Sequence, residues 1–229
     1  VCQDGPLGPD LGSAVATCCE RPGVRRLVHP VRRGLYANLN DAMDEVQTPW
    51  AARADADDLN LEGRFSDQIA FLARHPEVDV LGGAIIEFWP WGAERMKSLP
   101  LDHEAICAFA RFRSPINHMT AFIRARAFRD AGGYPPIDWA EDYGLWLRML
   151  ATGARFANLA APLVRARLGD DFLARRTGSK ALAAEAALWG LKRRTPGMGV
   201  FSTGAIFWAR CAALAFPLPA RAAYWALRR

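Results

Sequence analysis

The sequence predicts a layered α/β domain followed by a helical, basic tail. Short apolar runs, several of them rich in β-branched residues, alternate with segments of helical periodicity up to about residue 168, and this alternation is typical of a sheet covered by helices. The charge is divided in the same way, because residues 175–229 carry ten Lys or Arg and one acid, whereas residues 1–174 carry a net charge of −4. We therefore predict a domain over residues 1–172 and a separate tail over residues 173–229.

The composition is that of a globular protein with a core of its own, since 51% of the 229 residues are apolar and 23% are charged. The five cysteines are odd in number, irregularly spaced and without a Cys-x-x-Cys motif, so we expect reduced thiols in a cytoplasmic protein. The sequence shows no signal-peptide pattern, and it starts at Val1 in a segment that resembles the end of a strand. We expect a fragment of a longer protein.

The first half of the chain contains four predicted strands and three predicted helices. Strands are predicted for residues 1–4, 24–28, 49–54 and 78–88, and helices for residues 10–20, 35–46 and 65–75. Leu35, Leu39 and Met43 recur at a spacing of four residues and indicate one face of a helix. The pair Gly82-Gly83 inside the fourth strand indicates a bulge or a close approach of another part of the chain.

The second half continues the alternation and ends in the tail. Strands are predicted for residues 118–124 and 156–168, and helices for residues 102–112, 127–131 and 141–152. In the tail, residues 173–195 are rich in Ala and predict a helix by propensity. Residues 200–216 are apolar but interrupted by Arg210, which favours a helix lying in a membrane interface over one that crosses the bilayer. The alternative is a helix packed on the body or on a second subunit.

The basic tail favours an anionic partner. We expect a membrane surface and no nucleic acid, which would make this a cytoplasmic protein held peripherally at the inner face of the cell membrane.

Three carboxylates, Asp55, Asp57 and Asp58, follow the predicted strand at residues 49–54. Carboxylates this close together repel one another, and Mg²⁺ is typically held by one or two carboxylates plus substrate phosphates. Ligands of open α/β sheets bind at the carboxyl ends of strands, which is where this cluster falls. The cluster is either a metal clamp for a nucleotide diphosphate or a solvated loop that caps the next helix, and these residues alone favour neither.

A second acidic pair, Glu141 and Asp142, begins the helix predicted at residues 141–152. The helix dipole by itself favours acids in a first turn. Together with the earlier cluster the pair gains another interpretation, because a carboxylate near a metal-bound leaving group can act as a general base.

Taken in order, these pieces give the chain a resemblance to the family 2 glycosyltransferases of the GT-A fold. The matching segments are Arg33-Gly34-Leu35 with Asn38 and Asn40, then residues 54–58, 68–83, 115–120, 131–134 and 141–148. An Asp-x-Asp alone is common, but the order and spacing of the segments together are specific. The resemblance covers about residues 1 to 168 and implies a mixed, mostly parallel central sheet flanked by helices.

The resemblance also implies roles for single residues. Asp4 matches an aspartate that contacts the nucleotide base, Asp57 a direct metal ligand, and Asp55 a residue facing the ribose or the metal. Asp142 matches the catalytic base, with Glu141 beside it in the acceptor site. A bound Mg²⁺ or Mn²⁺ would neutralise charge on the departing diphosphate, and a single displacement would invert the anomeric carbon without a covalent intermediate.

Two departures from the family pattern bear on activity. The family's opening strand, with its Pro-x-Tyr-Asn-like end, is missing, which implies a truncated domain. Gly144 stands where relatives often carry Asp, and a glycine inside a helix costs about 1 kcal/mol relative to Ala.

Further residues have both a functional and a structural interpretation. Arg33 could reach the nucleotide, and Arg175 and Arg176 could close over the diphosphate, but each also fits a solvated surface. His118 could contact phosphate or acceptor, although a structural role is the commoner one for such a residue. Trp139, just before the Glu-Asp pair, could stack against a sugar.

The sequence therefore predicts a metal-dependent, inverting transferase that moves a sugar from a nucleotide-diphosphate donor, with UDP as the expected nucleotide. The expected acceptor is a cell-surface glycan or its lipid-linked precursor. Two alternatives remain: a non-catalytic scaffold with a degenerate transferase fold, and a metal-dependent nucleotidyltransferase.

Overall fold

A computed structural model describes residues 1–168 and 179–215 of the chain. In chain order the strands are β1 Cys2–Asp4, β2 Leu27–His29, β3 Trp50–Ala52, β4 Leu59–Asn60, β5 Val80–Phe88, β6 Glu94–Lys97, β7 Phe122–Arg124 and β8 Phe156–Arg167. The helices are α1 Pro9–Cys19, α2 Leu35–Asp44, α3 Arg64–Arg74, α4 His103–Phe109, α5 Ala125–Asp130, α6 Glu141–Ala151, α7 Ser179–Lys192 and α8 Val200–Ala215. The short strands β4 and β6 were not predicted.

The main sheet of the described residues has six strands in the order β3-β7-β5-β8-β4, with β6 paired to β5, and β1 and β2 form a separate parallel pair. The sheet is mixed, as expected, but only β5 and β8 are parallel within it. The prediction of mostly parallel pairing was wrong for this sheet. One of the four antiparallel pairs, β5 with β6, is joined by a tight hairpin at residues 89–93, and a hairpin needs no crossover helix.

The strand predicted at residues 118–124 is also shorter than expected. His118–Thr120 form a 3-10 turn, and only Phe122–Arg124 are extended as β7. Thr120 explains the difference, because its hydroxyl donates to the carbonyl of Asn117 at 2.7 Å and accepts from the backbone N–H of Gly83 at 3.0 Å. These side-chain hydrogen bonds replace a strand ladder with a local turn.

The close approach predicted at Gly82-Gly83 is confirmed. A Cβ at Gly82 would lie 2.3 Å from Oδ1 of Asn158, and one at Gly83 would lie 2.4 Å from Cδ1 of Leu163. The register between β5 and β8 shifts directly after Gly83. The two long central strands therefore meet at a point where only glycine fits.

The core is centred on α6, where Leu145 and Trp146 are fully buried. Leu188 of α7 and Met198, both in the predicted tail, are buried in the same apolar cluster. The described part of the tail thus packs on the body. The proposed domain boundary at residues 172/173 stays a prediction, and Arg175, Arg176 and the last basic stretch of the tail lie outside the described residues.

The interfacial interpretation of α8 placed aromatic residues on one face of the helix and Arg210 on the other. The structure instead pairs Arg210 with Glu185 at 2.6 Å, and both side chains are about nine-tenths buried. Helical spacing does not reveal a carboxylate supplied by a neighbouring helix, and the interfacial placement of α8 stays a prediction. On α8 Trp208 remains 69% exposed. No helix in the described ranges combines the length and apolarity needed to cross a bilayer.

Candidate active site

A cavity of about 440 Å³ opens between the acidic turn after β3, the first turn of α6 and the two tail helices. Four of the predicted site residues, Asp55, Asp57, Glu141 and Asp142, line it together. Among the described residues, the carboxylates that line it are Asp55, Asp57, Asp58, Glu87, Glu141, Asp142 and Glu185. Two acidic motifs far apart in sequence therefore share one cavity.

The acidic turn rests on a buried arginine that sequence reasoning missed. Arg64, at the start of α3, is 1% exposed and donates to the carbonyl of Arg53 at 2.7 Å and to Oε1 of Gln68 at 3.2 Å. Gln68 in turn donates to the carbonyl of Thr120 at 2.8 Å. Burial lowers the pKa of Arg64, while Asp55 opposes this shift. The side chain thus couples the turn to the sheet.

The three acids of the turn have different surroundings. Asp55 forms an ion pair with Arg53 at 2.5 Å, and Asp57 is exposed. Asp58 accepts the backbone N–H of Arg167 at 2.9 Å, which ties the turn to the end of β8. Burial raises the pKa of Asp58, and the charges of Asp55 and Asp57 add to the increase. Asp58 thus fixes the acidic turn to the end of β8, and Asp57 is the most exposed of the three carboxylates and the most accessible to a ligand.

The first turn of α6 holds its carboxylates by contacts with the loop after α4. Ser114 donates its hydroxyl to Oδ2 of Asp142 at 3.1 Å, and Tyr143 donates to the carbonyl of Ala110 at 2.5 Å. Glu141 is 9% exposed. A Cβ on Gly144 would lie 2.4 Å from Cγ of Pro135. The glycine therefore allows residues 135–137 to pack closely against α6, which gives a structural reason for Gly144 where relatives often carry Asp.

His118 belongs to the cavity wall and to the core at once. Its Nε2 lies 2.8 Å from the hydroxyl of Tyr134, and its ring meets Trp146 edge to face at 5.9 Å. Burial lowers the pKa of His118 to about 4, although the nearby Asp142 charge acts in the opposite direction. The imidazole is therefore neutral at pH 7. These contacts support the structural role, and the histidine still faces the cavity.

Trp139 lines the cavity directly before the α6 acids. Its φ of 67° is in the left-handed region, and it is the single non-glycine residue with positive φ in the described ranges. Its side chain is nevertheless 49% exposed. Strain of this kind costs about 1–3 kcal/mol and clusters at functional sites, so an exposed ring held at this cost fits a ligand contact.

Asp4 and Arg33 are not among the residues that line the cavity. Asp4 accepts the backbone N–H groups of Arg33 at 2.7 Å and of Gly34 at 3.1 Å. Burial acts to raise the pKa of Asp4, but these hydrogen bonds outweigh it and lower the pKa. The Arg33 guanidinium pairs with Asp41. Their predicted contacts with a nucleotide stay predictions, and the contacts seen order the loop before α2.

Comparison with known proteins identifies the family. Residues 9–131 match the family described as Glycosyl transferase family 2. The amylovoran biosynthesis glycosyltransferase AmsE of Erwinia amylovora is 38% identical over 191 residues, which are 82% of this chain and 71% of that protein. The chain belongs to glycosyl transferase family 2. A further relative of this family 2 chain, the UDP-Gal:alpha-D-GlcNAc-diphosphoundecaprenol beta-1,3-galactosyltransferase of Escherichia coli, is 28% identical over 187 residues, or 81% of this chain and 68% of that protein.

Solved structures show the same fold. The S. aureus TarS 1-349 complex with UDP superposes with a TM-score of 0.65 at 14% identity, covering 90% of the family 2 chain and 59% of the TarS chain. The mannosyltransferase PcManGT from Pyrobaculum calidifontis, in complex with GDP-Man and Mn²⁺, gives a TM-score of 0.57 at 16% identity, over 97% of this chain and 68% of that one. The predicted GT-A glycosyltransferase fold is confirmed.

The donor set of the family 2 chain suits a hard divalent cation. Asp55 and Asp57 both line the cavity and offer carboxylate oxygens, which are the ligands that Mg²⁺ and Mn²⁺ prefer. The described residues contain no cluster of three or more His, Cys, Asp or Glu side chains arranged for a metal. This donor set fits a metal that takes its remaining ligands from substrate phosphates and water.

Three features of the site of this family 2 chain were missed from sequence: Arg64 beneath the acidic turn, Ser114 on Asp142, and the pair of Glu185 with Arg210 from the tail helices. Arg64 had a detectable signal, since it directly follows Gly63 at a helix start and near three acids. The other contacts join residues far apart in sequence and have no local pattern.

Proposed function

We propose that this chain transfers a sugar from a nucleotide-diphosphate donor to a hydroxyl of an acceptor, with inversion at the anomeric carbon. The observation that carries the proposal is that Asp57 and Asp142, from separate motifs, line the same cavity. One acid would serve the donor and the other the acceptor.

The charge of the cavity supports a metal on the donor side. Seven carboxylates and four basic side chains line the described cavity, so a diphosphate entering alone would meet a net negative surface. A divalent cation held by Asp57 and Asp55, Mg²⁺ or Mn²⁺, would neutralise charge on the leaving diphosphate. We propose UDP as the nucleotide, because UDP is present in the TarS complex and UDP-Gal is named for the E. coli relative.

Asp142 is the proposed general base. It takes the proton of the acceptor hydroxyl as the oxygen attacks the anomeric carbon and the bond to the diphosphate oxygen breaks, so that nucleoside diphosphate leaves. Ser114 holds Oδ2 of the carboxylate, which restricts its rotation and favours one orientation toward the acceptor. Glu141 lies beside it on the acceptor side, and Trp139 offers an aromatic face.

The proposed acceptor is a cell-envelope glycan or its lipid-linked precursor. The relatives support this class, since one is named for amylovoran biosynthesis and another for a diphosphoundecaprenol-linked acceptor. The exposed Trp208 on α8 is in keeping with a peripheral contact to the cytoplasmic face of the membrane.

A thermal-shift titration with UDP, GDP, TDP and CDP, each with and without Mn²⁺, tests the donor half. A ligand that binds only the folded state stabilises it by about 2.7 kcal/mol at about a hundredfold excess over Kd. We expect a Mn²⁺-dependent shift with UDP that is lost in Asp57→Ala and kept in Asp10→Ala, which removes an exposed acid of α1.

Product analysis tests the chemistry. We expect release of nucleoside diphosphate from a nucleotide-sugar, at a rate about 10²–10⁴-fold lower in Asp142→Asn. Release of pyrophosphate would instead identify a nucleotidyltransferase, and nucleotide binding without any turnover would identify a degenerate scaffold.

A further inference from the structure

The tail helices α7 and α8 contribute a second pair of charged residues to the cavity. Glu185 of α7 and Arg210 of α8 are joined by an ion pair between Oε1 and a guanidinium nitrogen at 2.6 Å, and their side chains are 12% and 11% exposed. Both line the cavity. They lie beyond residues 9–131, where the family match ends, and the proposed chemistry gives them no role.

The two helices have another contact besides this pair. Trp189 of α7 already stacks on Phe207 of α8 with ring centres 5.0 Å apart and planes 12° apart. Withdrawing two charges from water costs several kcal/mol per ion, and an apolar pair of similar size often stabilises a protein equally well. At the wall of a cavity, such a pair also offers a hydrogen-bond donor and an acceptor to a ligand.

The contacts of Arg210 place it on the Asp142 side of the cavity. Its guanidinium donates to the carbonyl of Phe112 at 3.2 Å. Two residues further along the same loop, Ser114 donates to Asp142. The pair is thus linked to the proposed base through one short loop, and we assign it to the acceptor side, away from the donor's diphosphate.

The chemistry of the wall suits a neutral sugar. A carboxylate and a guanidinium together accept from and donate to neighbouring hydroxyls, and because their charges cancel they favour neither an anion nor a cation. On α7 the side chains of Ala181, Ala184 and Leu188 line the cavity on the same helix face as Glu185. Small apolar residues beside a planar polar pair match the mixed C–H and O–H surface of a pyranose ring.

We infer that Glu185 and Arg210 form a subsite for the acceptor's terminal sugar, and that this subsite determines which sugar presents its hydroxyl to Asp142. The inference rests on the proposed function and extends it, because it places acceptor selection in the two tail helices. Arg210 keeps its contact with Phe112 while its partner Glu185 orients it.

Saturation-transfer NMR with a mixture of methyl glycosides of glucose, galactose, mannose and N-acetylglucosamine, in the presence of UDP and Mg²⁺, tests the subsite directly. We expect one glycoside to receive saturation from the wild-type chain. Glu185→Gln and Arg210→Lys should weaken its binding by about tenfold, as expected for loss of a hydrogen bond to a charged group. Lys180→Ala is the matched control, because it removes an exposed ion pair between α7 and Asp138 that is not part of the cavity wall.

A second pair of variants keeps the charges intact. Ala184→Leu adds bulk on the cavity face of α7 and should block the glycoside, whereas Ala183→Leu adds the same bulk on an exposed face and should not. The Mn²⁺-dependent thermal shift with UDP should be the same in all variants as in the wild type. If the wild type showed no such shift, that result would contradict the proposed function and not the subsite. No saturation transfer to any glycoside, or equal transfer in Ala184→Leu and wild type, would overturn the subsite.

Discussion

Ser114 and Asp142, 28 residues apart, meet through a hydrogen bond of 3.1 Å from the serine hydroxyl to Oδ2 of the aspartate. This bond joins the loop after α4 to the first turn of α6. The same loop contacts α8 through Phe112 and Arg210. The proposed base is therefore held by a loop that a tail helix supports.

Removing the hydroxyl in Ser114→Ala should lower kcat by roughly 10- to 100-fold, because a hydrogen bond to a charged group contributes about 1.5–3 kcal/mol. The KM for the nucleotide-sugar should not change, since the donor is assigned to the other acidic motif. Ser66→Ala is the control, as that hydroxyl donates to the carbonyl of Gly63 on α3. Steady-state kinetics of both variants test this prediction. An unchanged kcat in Ser114→Ala would show that the serine hydroxyl does not contribute to catalysis.

Replacing the proposed base in Asp142→Asn should lower kcat by about 10²–10⁴-fold, the usual contribution of general acid–base catalysis. The Mn²⁺-dependent thermal shift with UDP should persist, because the variant retains the acidic turn. A variant with wild-type kcat would show that another group takes the proton.

His118 makes the stability of the fold sensitive to acid. Its pKa is about 6.5 in an unfolded chain and about 4 in the folded one, where burial disfavours the charged ring. The unfolded chain therefore binds more protons between these values, so the free energy of unfolding is unaffected above pH 6.5 and falls as the pH drops toward 4. The slope from this group cannot exceed about 1.4 kcal/mol per pH unit.

Urea unfolding at pH 7, 6 and 5 measures this dependence. His118→Asn should flatten the acid limb relative to the wild type, whereas His75→Asn, which changes an exposed histidine, should leave it as steep. Equal slopes in His118→Asn and wild type would contradict a neutral imidazole at this position.

A methyl group added in Gly144→Ala should destabilise the protein by about 1–3 kcal/mol through overpacking. The new Cβ would lie 2.4 Å from Cγ of Pro135, and this clash outweighs the helix propensity that Ala gains. Gly12→Ala in α1, where a Cβ meets nothing within 4 Å, should stabilise by up to about 1 kcal/mol. Opposite signs in the two thermal unfolding measurements are the expected result.

Loss of the buried guanidinium in Arg64→Met should destabilise the fold by about 2–4 kcal/mol, because the carbonyl of Arg53 and the side chain of Gln68 would lose a charged donor. The acidic turn should also lose its orientation, so the Mn²⁺-dependent UDP shift should weaken. Arg74→Met, at the exposed end of the same helix, should stay within about 0.5 kcal/mol of the wild type. Chemical denaturation of both variants distinguishes the two positions.

The resemblance of the ordered segments to family 2 glycosyltransferases implied the GT-A fold. The sequence by itself also determined the alternation of helices and strands and the two acidic motifs. These depend on local signals: the spacing of Leu35, Leu39 and Met43, the close-approach pair Gly82-Gly83, and carboxylates grouped within a few residues. Such signals can be recognised in the amino-acid sequence because they arise from the geometry of one helix turn or one strand.

Only the tertiary structure decided which of these elements meet. It placed Asp57 and Asp142 around one cavity, set Arg64 beneath the acidic turn, and turned Arg210 inward onto Glu185. It also made the pairing of the sheet mostly antiparallel. The physical reason is that these contacts form between segments that are distant in the chain. Their partners are selected by core packing and by the pairing of buried charges, and neither produces a periodic pattern in the sequence.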